Sequence, residues 1–179
     1  MIWYVSPLPW LLPGSVVALI VATLGSAVVG RWLGVRRIVA WTLLLTLGVI
    51  ASGTLTPLDR EFQGSAHPGT CDLSRLGPAS LADLADPTTD VAANILLFIP
   101  LGLTVGLIPG SRRKAAIVVG ALVLPVMIES VQLLLTPLHR GCESADVVDN
   151  LTGLAIGLVA GTALRRFVPS VRREVEPVD

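Results

Sequence analysis

Apolar residues in this chain occur in long blocks rather than in alternation with polar ones. Five blocks, at 11–30, 38–57, 91–108, 115–135 and 147–164, are long enough to be membrane helices. A helix needs about 20 mostly apolar residues to cross the hydrocarbon of a bilayer. The third block is the shortest and contains Pro100. The pattern therefore predicts an all-α integral membrane bundle of about five transmembrane helices, filling residues 1–164.

The composition supports this interpretation. Apolar residues make up 53% of the chain and charged residues 15%, whereas a soluble domain carries about 25% charged residues. The mean hydropathy is +0.76. The first apolar block has no preceding Lys or Arg and is longer than the core of a signal peptide, so we expect it to be retained as a helix.

The distribution of charge predicts how the chain is threaded through the membrane. Ten of the thirteen basic residues lie in three short stretches, at 31–37, 112–114 and 165–173. Five alternating helices place all three stretches on one side, and basic loops favour the cytoplasm. We therefore predict an N-terminus outside and a cytoplasmic tail at 165–179. The 58–90 loop, which is rich in acidic residues, would then be extracytoplasmic.

Both cysteines fall in the predicted outer loops. Cys71 belongs to the long loop and Cys142 to the short loop between the fourth and fifth helices. An oxidising compartment permits a disulfide between them, and the alternative is two free thiols. The distance between the two residues decides which is correct, and the sequence does not give that distance.

Polar residues occur in the outer halves of the last three helices. Glu129 and Gln132 are three residues apart and share a helix face, as do Asp146 and Asn150, which are four apart. Charges inside a membrane are costly and usually face a bundle interior or a cavity. We therefore predict an outward-facing ligand site, with Glu129 as the best candidate for a catalytic residue. Its candidate ligand-binding residues are Asp90, Asn94, Glu129, Gln132, Arg140, Asp146, Asp149 and Asn150.

Small residues suggest how these helices pack. Gly153, Gly157 and Gly161 form a ridge along the fifth helix, and Gly102 and Gly106 repeat the spacing on the third. Such ridges let membrane helices approach closely. The first two helices contribute only small hydroxyls, glycine and proline, so we interpret them as scaffold.

Three motifs resemble a known family. They are DVAANILLFIPLG (90–102), IESVQ (128–132) and RGCESADVVDNLTGLAIG (140–157). In this order and spacing they resemble the VanZ-like family of bacterial integral membrane proteins, named after a protein linked to teicoplanin resistance. The matching positions are Asn94, Phe98, Pro100, Gly102, Glu129, Gln132, Arg140, Asp146, Asn150 and Gly153. The resemblance implies the bacterial plasma membrane and a role at the cell envelope.

Three functions fit the predicted site. The first is binding a membrane lipid or lipid-linked envelope precursor, with Arg140 holding a phosphate or carboxylate. The second is an intramembrane hydrolase or transferase on a lipid-linked substrate, with Glu129 as general acid or base. The third is a scaffold whose polar network only clamps the helices. We expect no cofactor, no metal and no nucleic acid, and the oligomeric state stays open.

Overall fold

The computed structural model describes residues 8–58, 67–80, 83 and 89–167. The N-terminal residues 1–7, part of the predicted outer loop and most of the predicted cytoplasmic tail lie outside the described residues. The helices are α1 (Leu11–Leu33), α2 (Arg37–Thr54), α3 (Asp90–Leu107), α4 (Arg112–Leu134) and α5 (Ser144–Phe167). All five are long and apolar enough to cross a membrane. The predicted all-α bundle is confirmed, and the chain is a multi-pass membrane protein.

Two prolines lie inside helices without breaking them. Pro100 lies within α3 and Pro125 within α4, and both helices continue past them. The apolar block of α2, by contrast, extends beyond the end of the helix at Thr54. Thr56 precedes Pro57, and a residue before proline disfavours the helical conformation. The chain therefore leaves the helix here with backbone carbonyls free to accept other donors.

The closest helix pair is α3 and α5, which run in the same direction with their backbones in contact. A Cβ atom on any of five glycines would overlap a carbonyl oxygen of the other helix. The pairs are Gly153 with Ile95, Gly157 with Ile99, Gly161 with Leu103, Gly102 with Leu154 and Gly106 with Leu158. At such approach, Cα–H groups can contact carbonyl oxygens directly. The two predicted ridges thus form one interface.

The first two helices form a separate antiparallel pair. Gly14 of α1 faces Ser52 of α2, and Gly48 of α2 faces Ala18 of α1. α3 packs against α2, and the fully buried Phe98 lies in the core cluster that includes residues of both helices. Large apolar side chains on the outside of the bundle, such as Leu24 and Val159, are exposed. Such an apolar surface suits contact with lipid rather than water.

Basic side chains at one end of the bundle cap helix C-termini. Arg113 donates to the Trp32 carbonyl and lies 5.5 Å from the centre of the Trp32 ring. Lys114 Nζ and Arg165 Nη1 donate to the carbonyls of Gly106 and Ile108, at 3.3 and 3.0 Å. Cations are favoured at the negative end of a helix dipole. These residues thus join the ends of neighbouring helices, in addition to any effect on the orientation of the chain in the membrane.

The α3–α5 interface gives a direct test of stability. We expect Gly157→Ala to destabilise the protein by about 1–3 kcal/mol, because the added methyl group overlaps backbone that must move. The matched control is Gly120→Ala, because a Cβ there meets nothing within 4 Å. Thermal unfolding of the purified protein in detergent measures both. Equal effects of the two variants would contradict the packing described here.

Candidate functional site

Polar side chains from three helices meet at the end of the bundle opposite the basic residues. The N-terminal turns of α3 and α5 and the C-terminal half of α4 lie at this end. The loop between α4 and α5 includes a 3-10 turn at Thr136–Leu138 and a two-residue strand β2, Cys142–Glu143. It brings Arg140 to the same place. Seven of the eight predicted ligand residues lie in or beside this group, and Asp149 has a separate partner.

Glu129 is hydrogen-bonded to the backbone of the loop between α4 and α5. Its carboxyl Oε2 accepts the N–H of Glu143 at 2.8 Å, and only 4% of the residue is exposed. This bond attaches the loop between α4 and α5 to α4. The point of attachment in the loop is Glu143, the residue that follows Cys142. Glu129 therefore positions the loop, whether or not it also contacts a ligand.

Gln132 and Arg140 bind the end of α2. Gln132 Nε2 donates to the Thr54 carbonyl at 2.8 Å. Arg140 Nε donates to Thr56 at 3.0 Å and Nη2 to Gly53 at 3.1 Å. The last carbonyls of a helix have no partner within the helix and carry partial negative charge. They are well suited to an amide donor and a guanidinium.

The sequence interpretation of α2 as scaffold missed these carbonyls. Backbone acceptors leave no signature of residue type, so motif reasoning does not find them. The only available signal was the TLTP stretch (54–57), where the apolar block continues up to a proline that ends the helix. The contribution of α2 comes from where it ends rather than from its side chains.

The Arg140 guanidinium is oriented but not ion-paired. Burial lowers the pKa of Arg140 below its ordinary value, and Asp146, Glu129 and Asp90 oppose that change electrostatically. Arginine remains protonated in proteins even so. Within the described ranges, no carboxylate is close enough to Arg140 to form an ion pair. The guanidinium is therefore held by carbonyls, near acidic groups but bonded to none of them.

The α5 residues of the site lie against α3. Asp146 is within hydrogen-bonding reach of the Asn94 side chain, and Asp90, the first residue of α3, is exposed. Asn150 lies one turn from both Asp146 and Gly153, and is 1% exposed. Among the residues that the structure describes, nothing hydrogen-bonds to its Oδ1 atom. Buried polar atoms normally have a partner, so this oxygen is a vacant acceptor.

Asp149, unlike the other predicted residues, is bonded to a residue of the long loop between α2 and α3. Arg75 forms a two-pronged ion pair with it, Nη1 to Oδ1 at 3.1 Å and Nη2 to Oδ2. The Arg75 carbonyl also accepts from Ser144 Oγ at 2.8 Å. The hydrogen bond to Asp149 raises the pKa of Arg75 above its ordinary value. Sequence reasoning missed Arg75, one of two arginines in an acidic loop.

A disulfide fastens the same loop beside the site. Cys71 and Cys142 are bonded, with their Cα atoms 4.3 Å apart. A two-residue strand β1, Cys71–Asp72, pairs in parallel with β2, so that Asp72 lies opposite Glu143. The disulfide thus joins the long loop to the backbone that Glu129 holds.

The acidic groups do not converge in the way that metal ligands do. In the part of the chain that the structure describes, no three His, Cys, Asp or Glu side chains form a group that could hold a metal ion. The site is better described as one guanidinium, several carboxyl groups and three amide side chains, Asn94, Gln132 and Asn150, shared among α3, α4, α5 and the loop between α4 and α5.

Comparison with known proteins gives one match. A family model described as VanZ/LLP1 matches residues 43–165, which cover α3, α4 and nearly all of α5, together with the three motifs singled out in the sequence. No curated protein and no solved structure matches the chain.

The Arg75–Asp149 pair yields a prediction about how the loop between α2 and α3 is held. Removing one partner of a buried ion pair costs about 3–5 kcal/mol, because the other charge stays buried without compensation. Since Arg75 is partly exposed, we expect the lower end of that range for Arg75→Gln. The double variant Arg75→Gln/Asp149→Asn should lose less than Arg75→Gln alone. Unfolding midpoints in detergent test this, and additive losses would contradict direct coupling.

Proposed function

The chain belongs to the VanZ/LLP1 family, and on this premise we propose that it binds an envelope lipid or similar amphiphile at its outer polar site. The headgroup would lie between α3, α4 and α5, and the hydrocarbon tails would lie along the outside of the bundle. The observation that carries the proposal is Arg140, a fixed guanidinium without an ion-pair partner in the described residues.

Arg140 has the properties of an anion-binding group. Two carbonyls fix its orientation through Nε and Nη2, so little side-chain freedom remains to be lost when a ligand binds. A guanidinium offers five N–H donors, more than those two bonds use. Its planar fork matches phosphate and carboxylate groups.

Apolar surface for the tails lies on the same half of the bundle. Leu96 of α3 and Leu134 of α4 are among the most exposed side chains. Each lies at the depth of a polar site residue, Asn94 in one case and Gln132 in the other, but on a different face of its helix. An amphiphile could therefore place its headgroup at the site while its chains stay in hydrocarbon.

We further propose that the protein lies in the bacterial cell membrane with its N-terminus outside and its C-terminus in the cytoplasm. The basic residues at the end of the bundle opposite the site support this orientation. A ligand of the outer leaflet would then reach the site directly. A contribution to survival under glycopeptides such as teicoplanin, which the family resemblance implied, is part of this proposal.

A second candidate is a helix clamp without a ligand. It is favoured by Glu129 and Gln132, which are buried and have backbone partners in Glu143 and Thr54. The clamp does not explain why Asn150 Oδ1 is buried without a donor or why Arg140 lacks an ion pair. A third candidate is an enzyme in which Glu129 acts as a general acid or base. No contact of Glu129 among the described residues favours it.

Binding and clamping predict different behaviour of Arg140→Gln. Under the binding proposal, the variant loses the extra thermal stability that added phospholipid gives the wild type in a lipid-free detergent preparation. Arg140→Lys should keep part of it, because the charge remains. The control is Arg166→Gln, an exposed arginine at the other end of the bundle. Under the clamp, the unfolding midpoint falls but the lipid-induced shift is unchanged.

Glu129→Gln separates the same two roles in cells. The glutamine oxygen can still accept from Glu143, so we expect folded protein in the membrane at near wild-type amounts. We also expect lower survival under glycopeptide or other cell-wall stress, because the charge distribution around Arg140 changes. The amount of folded protein and the survival are measured in the same cells. Loss of folded protein would favour the clamp, and no change in either would contradict a role for this carboxylate.

A further inference from the structure

We infer that the ligand of this site carries a primary ammonium group next to its anionic group, as in the headgroup of an aminophospholipid. The inference rests on the proposed function and deepens it, because Arg140 explains only the anionic part. Two features remain unexplained by an anion, namely the carboxyl groups around Arg140 and the vacant acceptor on Asn150.

The first feature is an excess of acidic groups. Asp146 interacts electrostatically with Asp90, and Glu129 interacts with Asp146. Two cations act on this group: Arg140, which is bonded to no carboxylate in the described residues, and Arg75, which is ion-paired with Asp149. Carboxylates that share a site with little water repel one another. A purely anionic headgroup would add to this repulsion, whereas an ammonium group among the carboxylates would relieve it.

The second feature is a shortage of hydrogen-bond donors. Among the described residues, Asn150 Oδ1 is buried without a donor, and Asp146 is within hydrogen-bonding reach of the Asn94 side chain. Glu129 receives one backbone N–H, on Oε2. An ammonium supplies three donors and accepts none. Asn150 and Asp146 lie one helical turn apart on the face of α5 that packs on α3, so one ammonium can serve both.

The arrangement favours a primary ammonium over the other cations. A quaternary ammonium has no N–H to offer Asn150 Oδ1. A divalent metal ion needs several oxygen ligands at short range, and the described acidic residues do not form such a group. An ammonium group needs fewer oxygen partners than a divalent metal ion, and they can be arranged less regularly. With the anion on Arg140, the ligand is a zwitterion whose two charges are a few bonds apart.

The test compares phospholipids that share acyl chains and differ in the headgroup. The full-length protein in uncharged detergent is titrated with phosphatidylethanolamine, phosphatidylcholine and phosphatidylglycerol, and binding is followed by the unfolding midpoint. We expect phosphatidylethanolamine to bind at least about tenfold more tightly than either of the others, a factor within the range for a charge-assisted hydrogen bond to a buried partner. Soluble phosphoethanolamine should compete and phosphocholine should not.

The other outcomes are distinct. Phosphatidylglycerol binding as tightly as phosphatidylethanolamine would overturn the ammonium inference and leave the proposed function intact. Equal binding of phosphatidylcholine would overturn it too. The absence of binding by any lipid would overturn both. If soluble phosphoethanolamine binds more tightly than phosphatidylethanolamine, the result would support the same zwitterion chemistry with a water-soluble ligand.

A variant locates the ammonium contact. Asp146→Asn should remove the preference for phosphatidylethanolamine over phosphatidylglycerol while keeping phosphatidylglycerol binding, since Arg140 is untouched. Asp83→Asn, an exposed carboxylate of the outer loop, is the control and should keep the preference. A preference that survives Asp146→Asn would overturn the inference. If that variant does not fold, Asn150→Leu serves instead, because it removes the vacant acceptor without leaving a buried charge.

Discussion

The contact between the backbones of α3 and α5 determines the geometry of the polar site. Five glycines leave room for carbonyl oxygens of the opposite helix, so the two helices run together through most of the membrane. Their N-terminal turns consequently lie side by side, and Asn94 comes within reach of Asp146. Any larger residue in the ridge would separate the helices and, with them, the polar groups above. The packing of the glycine ridges in the apolar half of the bundle thus positions the polar side chains in the other half.

Polar groups at this depth find their partners mainly in the protein backbone. Glu129 accepts from a main-chain N–H, and Gln132 and Arg140 donate to the carbonyls that end α2. A bilayer offers no water to satisfy such groups, so the protein itself must do so. What remains after these bonds is a charge on Arg140, an acceptor on Asn150 and neighbouring carboxyl groups. The remaining groups, more than the satisfied ones, describe what the site can bind.

Much of the fold could be predicted from the sequence, and less of the site could be. The apolar blocks and glycine ridges identified the five helices and their close pair, since both depend on residue type at a fixed spacing. The contacts of Glu129, Gln132 and Arg140 were out of reach, because their partners are backbone atoms of any residue. The ion pair of Asp149 was missed because Arg75 lies in an irregular loop, where no periodicity relates position to direction. The sequence therefore indicated which residues are polar at this depth, but not which of them are already paired.

The disulfide encloses α3 and α4 within a covalent ring, because Cys71 precedes α3 and Cys142 follows α4. The bond can form only if both flanking segments have arrived on the same side of the membrane. A chain in which one of the two helices failed to insert would hold its cysteines on opposite sides and could not close the ring. Whether Cys71 and Cys142 are bonded therefore reports whether the two segments that carry them lie on the same side of the membrane. A thiol reagent can therefore distinguish fully inserted molecules from those in which one of these two helices failed to insert.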